Sequence, residues 1–328
     1  MSHKETQMEA HHKILIAVDG SLPSFHAVDY AARIVRLIPD LHVVLLYIMP
    51  SIPPYLEEGS LTDGDKIARV RKLKKINAAD GEKILEKAKA QLTAAQFPPE
   101  RIETKMLPRI TGLAKDITNE AEYGLYDALL VGRRGLSGAQ GLFMGSVSSQ
   151  LMQHAVNVPL WIIDRQVAEP RVMIAVDGSN ASLKAVDHVA FMLGHNPEAQ
   201  VHFLHVVPKL QNVCPIDLDN TGETLKGMEE EIELLEEELF LENQSCMDDF
   251  TPRATQILRQ AGFSSDRITV SVREVVLGVA RTILKAAEEG GYGTIVMGRR
   301  GMGRSLFLGS VSNRVIRRAN GQAIWVVS

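Results

Sequence analysis

The chain has 328 residues, 45% hydrophobic and 23% charged, with a net charge of −4. That length suits two domains, each able to bury its own core, and the near-neutral balance argues against nucleic acid or an anionic membrane surface as partner. Cys214 and Cys246, the two cysteines, lack metal-ligand spacing and suit a reducing cytoplasm. No apolar run approaches the ~20 residues that span a bilayer. The first stretch, MSHKETQMEAHHK, lacks the apolar centre of a signal peptide, and its His11 and His12 read as a frayed tail rather than a metal site.

Lys13 to Val18 (KILIAV) is a short apolar run that ends on the turn Asp19-Gly20-Ser21, so it reads as a buried strand. Ser24 to Leu37 has helical spacing at Ala27, Val28, Ala31, Ile34 and Val35, with Ser24 as its cap. Val43 to Ile48 is a second strand, closed by prolines 50, 53 and 54. Lys66 to Gln96 is charged with an apolar stripe, one surface helix or two. Strand Ile102 to Leu107, helix Gly112 to Tyr123, strand Leu129 to Val131, a glycine-rich loop, a helix from Ser146 and strand Pro159 to Ile163 complete the first half. Strands alternating with helices, each strand continuously apolar, predict a parallel sheet covered on both faces.

After the polar linker Asp164 to Pro170 the pattern restarts. RVMIAVDGS at Arg171 to Ser179 matches KILIAVDGS at Lys13 to Ser21 in six of nine positions. Helix Ser182 to Leu193, strands Val201 to Val207 and Ile268 to Val272, helix Leu277 to Glu289 and strand Ala323 to Val327 follow in the same order. The boundaries are 13–164 and 171–328, and the second half carries a longer acidic middle over 221–262. There Met228, Ile232, Leu235 and Leu239 fall at a/d-like spacing on a glutamate-rich helix. The stripe suits a partner helix or its own domain; barely two heptads favour its own domain. Trp161 and Trp325 take matched places in the two last strands, which suggests packing or an interface.

The stretch LLVGRRGLSGAQGLFMGSVS places Gly132, Gly135 and Gly145 in a G-x2-G-x9-G-S pattern between a strand and a helix. Glycines let the backbone approach an anion, and the first N–H groups of a helix have no intrahelical partner. Asp19 would stand beside this loop if the first and fourth strands are neighbours, and a carboxylate there suits a ribose hydroxyl or Mg²⁺. The pattern is neither G-x-G-x-x-G after the first strand, nor G-K-[ST], nor G-x-S-x-G, and the ten histidines show no H-E-x-x-H. The bland readings are plain: the aspartates as turn braces, the glycines as tight-turn residues, Ser146 and Ser310 as helix caps, and Arg133, Arg134, Arg299 and Arg300 as solvated charges.

With IAVDGS in each half, and VGRRGLSGAQGLFMGSVSSQLMQHA and MGRRGMGRSLFLGSVSNRVIRRA after the fourth strands, the chain resembles the universal stress protein family in its tandem form. The resemblance implies two open five-stranded parallel α/β sheets of the adenine nucleotide α-hydrolase-like, Rossmann-like class, strand order 3-2-1-4-5. It implies ATP, or AMP or ADP in its place, with Mg²⁺. In the first half the matching site positions are Ala17, Asp19, Ile48, Val131, Gly132, Arg134, Gly135, Gly145, Ser146, Val147 and Ser148. In the second they are Ala175, Asp177, Val206, Met297, Gly298, Arg300, Gly301, Gly309, Ser310, Val311 and Ser312. It further implies that the last strands pair within one chain as a pseudo-dimer, with a homodimer as a further possibility. Gly301 and Gly309 are separated by seven residues where Gly135 and Gly145 are separated by nine, a shortfall of roughly 7 Å of extended chain. The second site is therefore tighter, too short for a triphosphate, or helped by the charge of Arg304.

The resulting expectation is a cytoplasmic ATP-binding regulator of stress physiology. The alternatives are a slow ATPase or nucleotidyl-transferring enzyme, in which Asp19 holds Mg²⁺ and Arg134 steadies charge, and a ligand-free interaction module in the second half.

Overall fold

The computed structural model describes residues 11–58, 64–133, 146–155, 157–207, 229–275, 277–299 and 309–328. The first half runs β1 (Lys13–Ala17), α1 (Leu22–Ile34), β2 (His42–Met49), α2 (Pro54–Glu58), α3 (Gly64–Ala94), β3 (Ile102–Pro108), α4 (Leu113–Tyr123), β4 (Ala128–Gly132), α5 (Ser146–His154) and β5 (Leu160–Ile163). The second runs β6 (Val172–Val176), α6 (Asn180–Leu193), β7 (Val201–Val207), α7 (Glu229–Gln260), β8 (Ile268–Glu274), α8 (Val279–Gly290), β9 (Thr294–Gly298), α9 (Ser310–Arg318) and β10 (Ala323–Val327).

The two expected five-stranded sheets are joined. One ten-stranded sheet runs β3-β2-β1-β4-β5-β10-β9-β6-β7-β8. Neighbours within each half are parallel, and the single antiparallel pairing, β5 with β10, sets Trp161 opposite Trp325. The carboxyl ends of the two sets of strands therefore lie at opposite edges of the sheet. Residues alternate between two apolar layers: Ile14, Ile16, Val43 and Leu45 face α1 and α3, while Leu15, Val44 and Leu46 face α4 and α5. This period-2 division explains why the strands read as continuously apolar.

The joint is packed tightly. The Trp161 and Trp325 rings stack with centroids 3.8 Å apart and planes within 1°. Trp161 Nε1 donates to His188 Nε2 (3.2 Å) and Trp325 Nε1 donates to Tyr30 Oη (3.0 Å). Tyr30 and His188 are matched positions of α1 and α6, so the repeat supplies one acceptor to each indole, which a buried N–H requires.

Local boundaries differ from the sequence reading for simple reasons. The cap of α1 is Ser21, not Ser24: Ser21 is extended and its Oγ accepts from the Ser24 amide, with Pro23 in the first turn. A one-turn helix precedes the charged stretch Lys66 to Gln96, which itself forms one continuous helix as far as Ala94, within the 31 residues of α3. Gly81 lies over the Tyr47 ring, where a Cβ would stand 2.6 Å from its Cδ1. The acidic stripe does not pack on its own domain over its first turns. Leu235 is 44% exposed, and among the described side chains of α7 the buried ones begin at Met247. Met228 and the side chain of Ile232 lie outside the described residues.

Candidate functional site

β1 lies between β2 and β4, with Ala17 opposite Leu46 on one side and Val131 on the other. The strand order reverses here, and in an open parallel sheet such a reversal leaves a crevice at the carboxyl ends. Asp19, Ile48 and Gly132 leave the sheet at this edge. Ala17, Ile48 and Val131 share an apolar layer with Leu107 and Leu113. At the opposite edge the second half repeats the arrangement with Ala175, Val206 and Met297, flanked by Val275 and Val279.

Each aspartate braces the turn that follows its strand. Gly20 adopts φ 80°, and the Ser21 amide donates to Asp19 Oδ1 (3.0 Å). Asp177 Oδ1 accepts from the Ser179 amide (3.1 Å), Ser179 Oγ (2.6 Å) and Ser182 Oγ (2.7 Å). The turn-bracing role is thus present, and it fixes both carboxylates at the mouths of their crevices.

Gly132 is small for a packing reason. A Cβ there would stand 2.6 Å from the carbonyl carbon and oxygen of Pro23 and 2.8 Å from the Ser24 amide, all backbone atoms. At Gly298 it would stand 2.7 Å from the Ala181 carbonyl carbon. The first helix of each half crosses the strand end so closely that only glycine fits. Gly132→Ala is expected to cost about 1–3 kcal/mol of stability in chemical denaturation; an unchanged midpoint would contradict this packing.

The hydroxyls assigned to phosphate by resemblance point back to the strand. Ser148 Oγ donates to the Gly132 carbonyl (2.8 Å), and Ser312 Oγ to that of Gly298 (3.0 Å), with both serines buried. They lock the start of the helix to the end of the strand. α9 begins at exposed Ser310 after Gly309, and Val147 and Val311 line the second apolar layer. Arg134, Gly135, Gly145, Arg300, Gly301 and the side chain of Ser146 lie outside the described residues.

Arg133 and Arg299 are not solvated. They are 5% and 4% exposed, and each crosses to the other half. Arg133 pairs with buried Asp164 (2.7 Å) and donates to the carbonyls of Ile316 (2.8 Å) and Ala319 (2.8 Å) at the end of α9. Arg299 donates to the carbonyls of Met152 and Ala155 at the end of α5 and to Ser328 Oγ (3.2 Å). A guanidinium at a helix C-terminus meets carbonyls that lack amide partners and complements the helix dipole. The residue after each strand-end glycine thus holds the far end of the helix that follows the opposite half's loop. The repeated Arg-Arg in both halves was the available signal; nothing local showed that the first arginine turns inward.

A further residue was missed. Asp116 accepts from the amides of Ile110 (2.9 Å), Thr111 (3.0 Å) and Gly112 (3.2 Å) and from Thr111 Oγ1 (2.6 Å). Burial opposes its charge, but the Thr111, Ile110 and Gly112 bonds hold the carboxyl at about 2. This fixes the loop after β3, at the same edge as Asp19. A carboxylate early in a helix just after a Thr-Gly turn was the readable cue.

Two copies of one parallel α/β unit, joined through their last strands and each with a crevice at its reversal point, define a tandem protein of the Rossmann-like, nucleotide-hydrolase-like class. The chain belongs to the universal stress protein family: the model of that family matches residues 10–164 and again 170–326. Universal stress protein MT2052 of Mycobacterium tuberculosis (strain CDC 1551 / Oshkosh) is 27% identical over 196 residues, 54% of this chain and 57% of that protein. Universal stress protein Mb2019 of Mycobacterium bovis is 26% identical over 196 residues. The matched stretch spans about half the length of these curated relatives. In fold, the chain is similar to a universal stress protein from Archaeoglobus fulgidus, with TM-score 0.60 and 20% identity over 96% of this chain and 98% of the other. It is also similar to a functionally unknown protein, PA1789, from Pseudomonas aeruginosa PAO1, with TM-score 0.51 and 14% identity over 97% and 92%. Among the described residues no helix is long and apolar enough to cross a membrane.

Proposed function

We propose that this chain binds ATP, with Mg²⁺, in the crevice of its first half and acts through its ligand state as a cytoplasmic regulator in stress physiology, with at most slow hydrolysis. One observation carries the reading: Gly132, Gly135, Gly145 and Ser146 keep the G-x2-G-x9-G-S spacing between the end of β4 and the start of α5, at the reversal point that also presents Asp19. The residues present fit the ligand. Ala17, Ile48, Val131 and Leu107 offer an apolar bed for a purine at the carboxyl edge. The N-terminus of α5 offers amides to a phosphate.

Among the described residues no group of three or more His, Cys, Asp or Glu could hold a metal. Mg²⁺ needs only one or two carboxylates when phosphate oxygens and water complete its shell. Asp19 fits as that carboxylate, and Mg²⁺ without nucleotide is expected to bind negligibly.

The second half supports a different reading. Its loop is two residues shorter, and the Gly309 amide donates to the Arg299 carbonyl (2.9 Å). This favours a smaller adenine nucleotide, or none, around Asp177, Gly298 and Ser310. Titration calorimetry with ATP and Mg²⁺ tests the assignment. The double variant Gly135→Val/Gly145→Val should lose at least about tenfold in affinity, on the order of 1.4 kcal/mol or more. Equal binding by both proteins would sink the site.

A further inference from the structure

α3 and α7 occupy equivalent places in the two halves. Ala88 and Ala254, Leu92 and Leu258, and Phe97 and Phe263 are buried pairs, each 166 residues apart (254 − 88, 258 − 92, 263 − 97). Both helices are longer than the sheet they cover. The 31 residues of α3 span about 46 Å, against about 26 Å for the eight residues of β2. A matched asparagine meets the strand end in each: Asn77 reaches the Pro50 carbonyl, and Asn243 Oδ1 meets His205 Nε2 (2.6 Å), while among the first turns of α3 Val70 is buried. The turns before these residues extend past the carboxyl edge of their own half.

The two overhangs carry opposite charge. Residues 66–79 of α3 contain six cations and no carboxylate; residues 229–242 of α7 contain eight glutamates and no cation. At equivalent positions Arg71 and Lys72 stand where Glu237 and Glu238 stand (237 − 71 = 238 − 72 = 166), and all four are exposed. Each overhang also displays large apolar side chains. Leu73 and Ile76 are 40% and 53% exposed on α3; Leu234, Phe240 and Leu241 are 61%, 50% and 56% exposed on α7. Exposed apolar residues gathered on one helix face mark an interaction surface.

Because β5 and β10 are antiparallel, the two overhangs project from opposite edges of the sheet at its two ends. They cannot meet within one molecule. We infer that the acidic overhang of α7 docks on the basic overhang of α3 in a second copy of this chain, with the apolar side chains buried between them and the charges paired along the rim. Two chains related by a twofold axis make this contact twice, so each contact strengthens the other. α3 and α7 pack on the sheet face of α1 and α6, opposite the apolar layer that lines the crevices.

Sedimentation velocity on the full chain tests this. At about 50 mM salt a dimer is expected, and about 500 mM should weaken association at least about tenfold, because exposed charges are screened over a few ångströms there. Arg69→Glu/Arg71→Glu/Lys72→Glu/Lys75→Glu, which leaves two cations against four carboxylates on α3, and Glu233→Lys/Glu236→Lys/Glu237→Lys/Glu238→Lys/Glu242→Lys, which leaves three carboxylates against five cations on α7, should each be monomeric at low salt, since both overhangs then carry the same sign. An equimolar mixture of the two variants should re-form dimers, each restoring opposite charges at both contacts. Unchanged circular dichroism would show that both variants fold, as expected for exposed positions. A wild-type monomer at low salt, a dimer that survives either reversal, or a mixture that stays monomeric would overturn the assignment.

Discussion

Arg133→Ala will lower the unfolding free energy by about 3–5 kcal/mol, the usual cost of removing one member of a buried ion pair. Two deficits add up. Asp164 is 7% exposed and loses the guanidinium 2.7 Å from its Oδ1, and the carbonyls of Ile316 and Ala319 lose the donor that ends α9. The double variant Arg133→Met/Asp164→Leu should recover much of the loss, since it leaves no lone charge in the joint, although the helix end stays unmet. Urea denaturation of the wild type, the single variant and the double variant gives both numbers. A single variant within about 0.5 kcal/mol of wild type, the range of an ordinary surface substitution, would mean that the interaction across the joint contributes nothing. Arg299→Ala should also destabilise, by freeing the end of α5 and the Ser328 hydroxyl at the position matched to Asp164.

The second large effect is on pH. His188 is 8% exposed beside the paired indoles, and burial, with a smaller contribution from His12, pushes its pKa down to about 3. The bond from Trp161 Nε1 requires Nε2 as an acceptor, so the folded state needs the neutral ring. The unfolded chain takes up a proton near pH 6.5, before the folded chain does. Stability is therefore complete above pH 6.5 and falls as pH drops toward 3, with a slope of up to about 1.4 kcal/mol per pH unit from this group. His12, lowered first by burial, adds in the same direction. Denaturation midpoints at several pH values, in wild type and in His188→Gln, isolate the contribution. Gln keeps an acceptor but cannot titrate, so its stability profile should be flatter between pH 6.5 and 4. Parallel profiles would show that the joint does not carry the acid sensitivity.

Much of this architecture was legible because a parallel sheet covered on both faces makes every strand an apolar run, and KILIAV, VVLLYI and AIWVV are such runs. The duplication was visible in IAVDGS and in the glycine loops. The order of strands around Asp19 and Gly132 came with the resemblance, because alternation alone does not fix which strands are neighbours. Three features were not readable. The fusion of two sheets into one depends on a single antiparallel contact between four- and five-residue strands, to which the matched tryptophans only pointed. The inward turn of Arg133 depends on carbonyls more than 180 residues away. The exposed turns of α7 looked amphipathic, but a stripe carries no information about how far its helix outruns the sheet. The packing role of Gly132 was also out of reach: phosphate approach was the obvious reason for a glycine, and the crossing of α1 over the strand end is a sufficient one beside it.

The measurement that bears most directly on function is native mass spectrometry of the gently purified chain beside Gly135→Val/Gly145→Val. An adenine nucleotide travelling with the wild type and missing from the variant is the predicted result. A bare wild-type chain that stays bare with added ATP and Mg²⁺, or a variant that retains the same ligand, would contradict the first-half crevice as a nucleotide site.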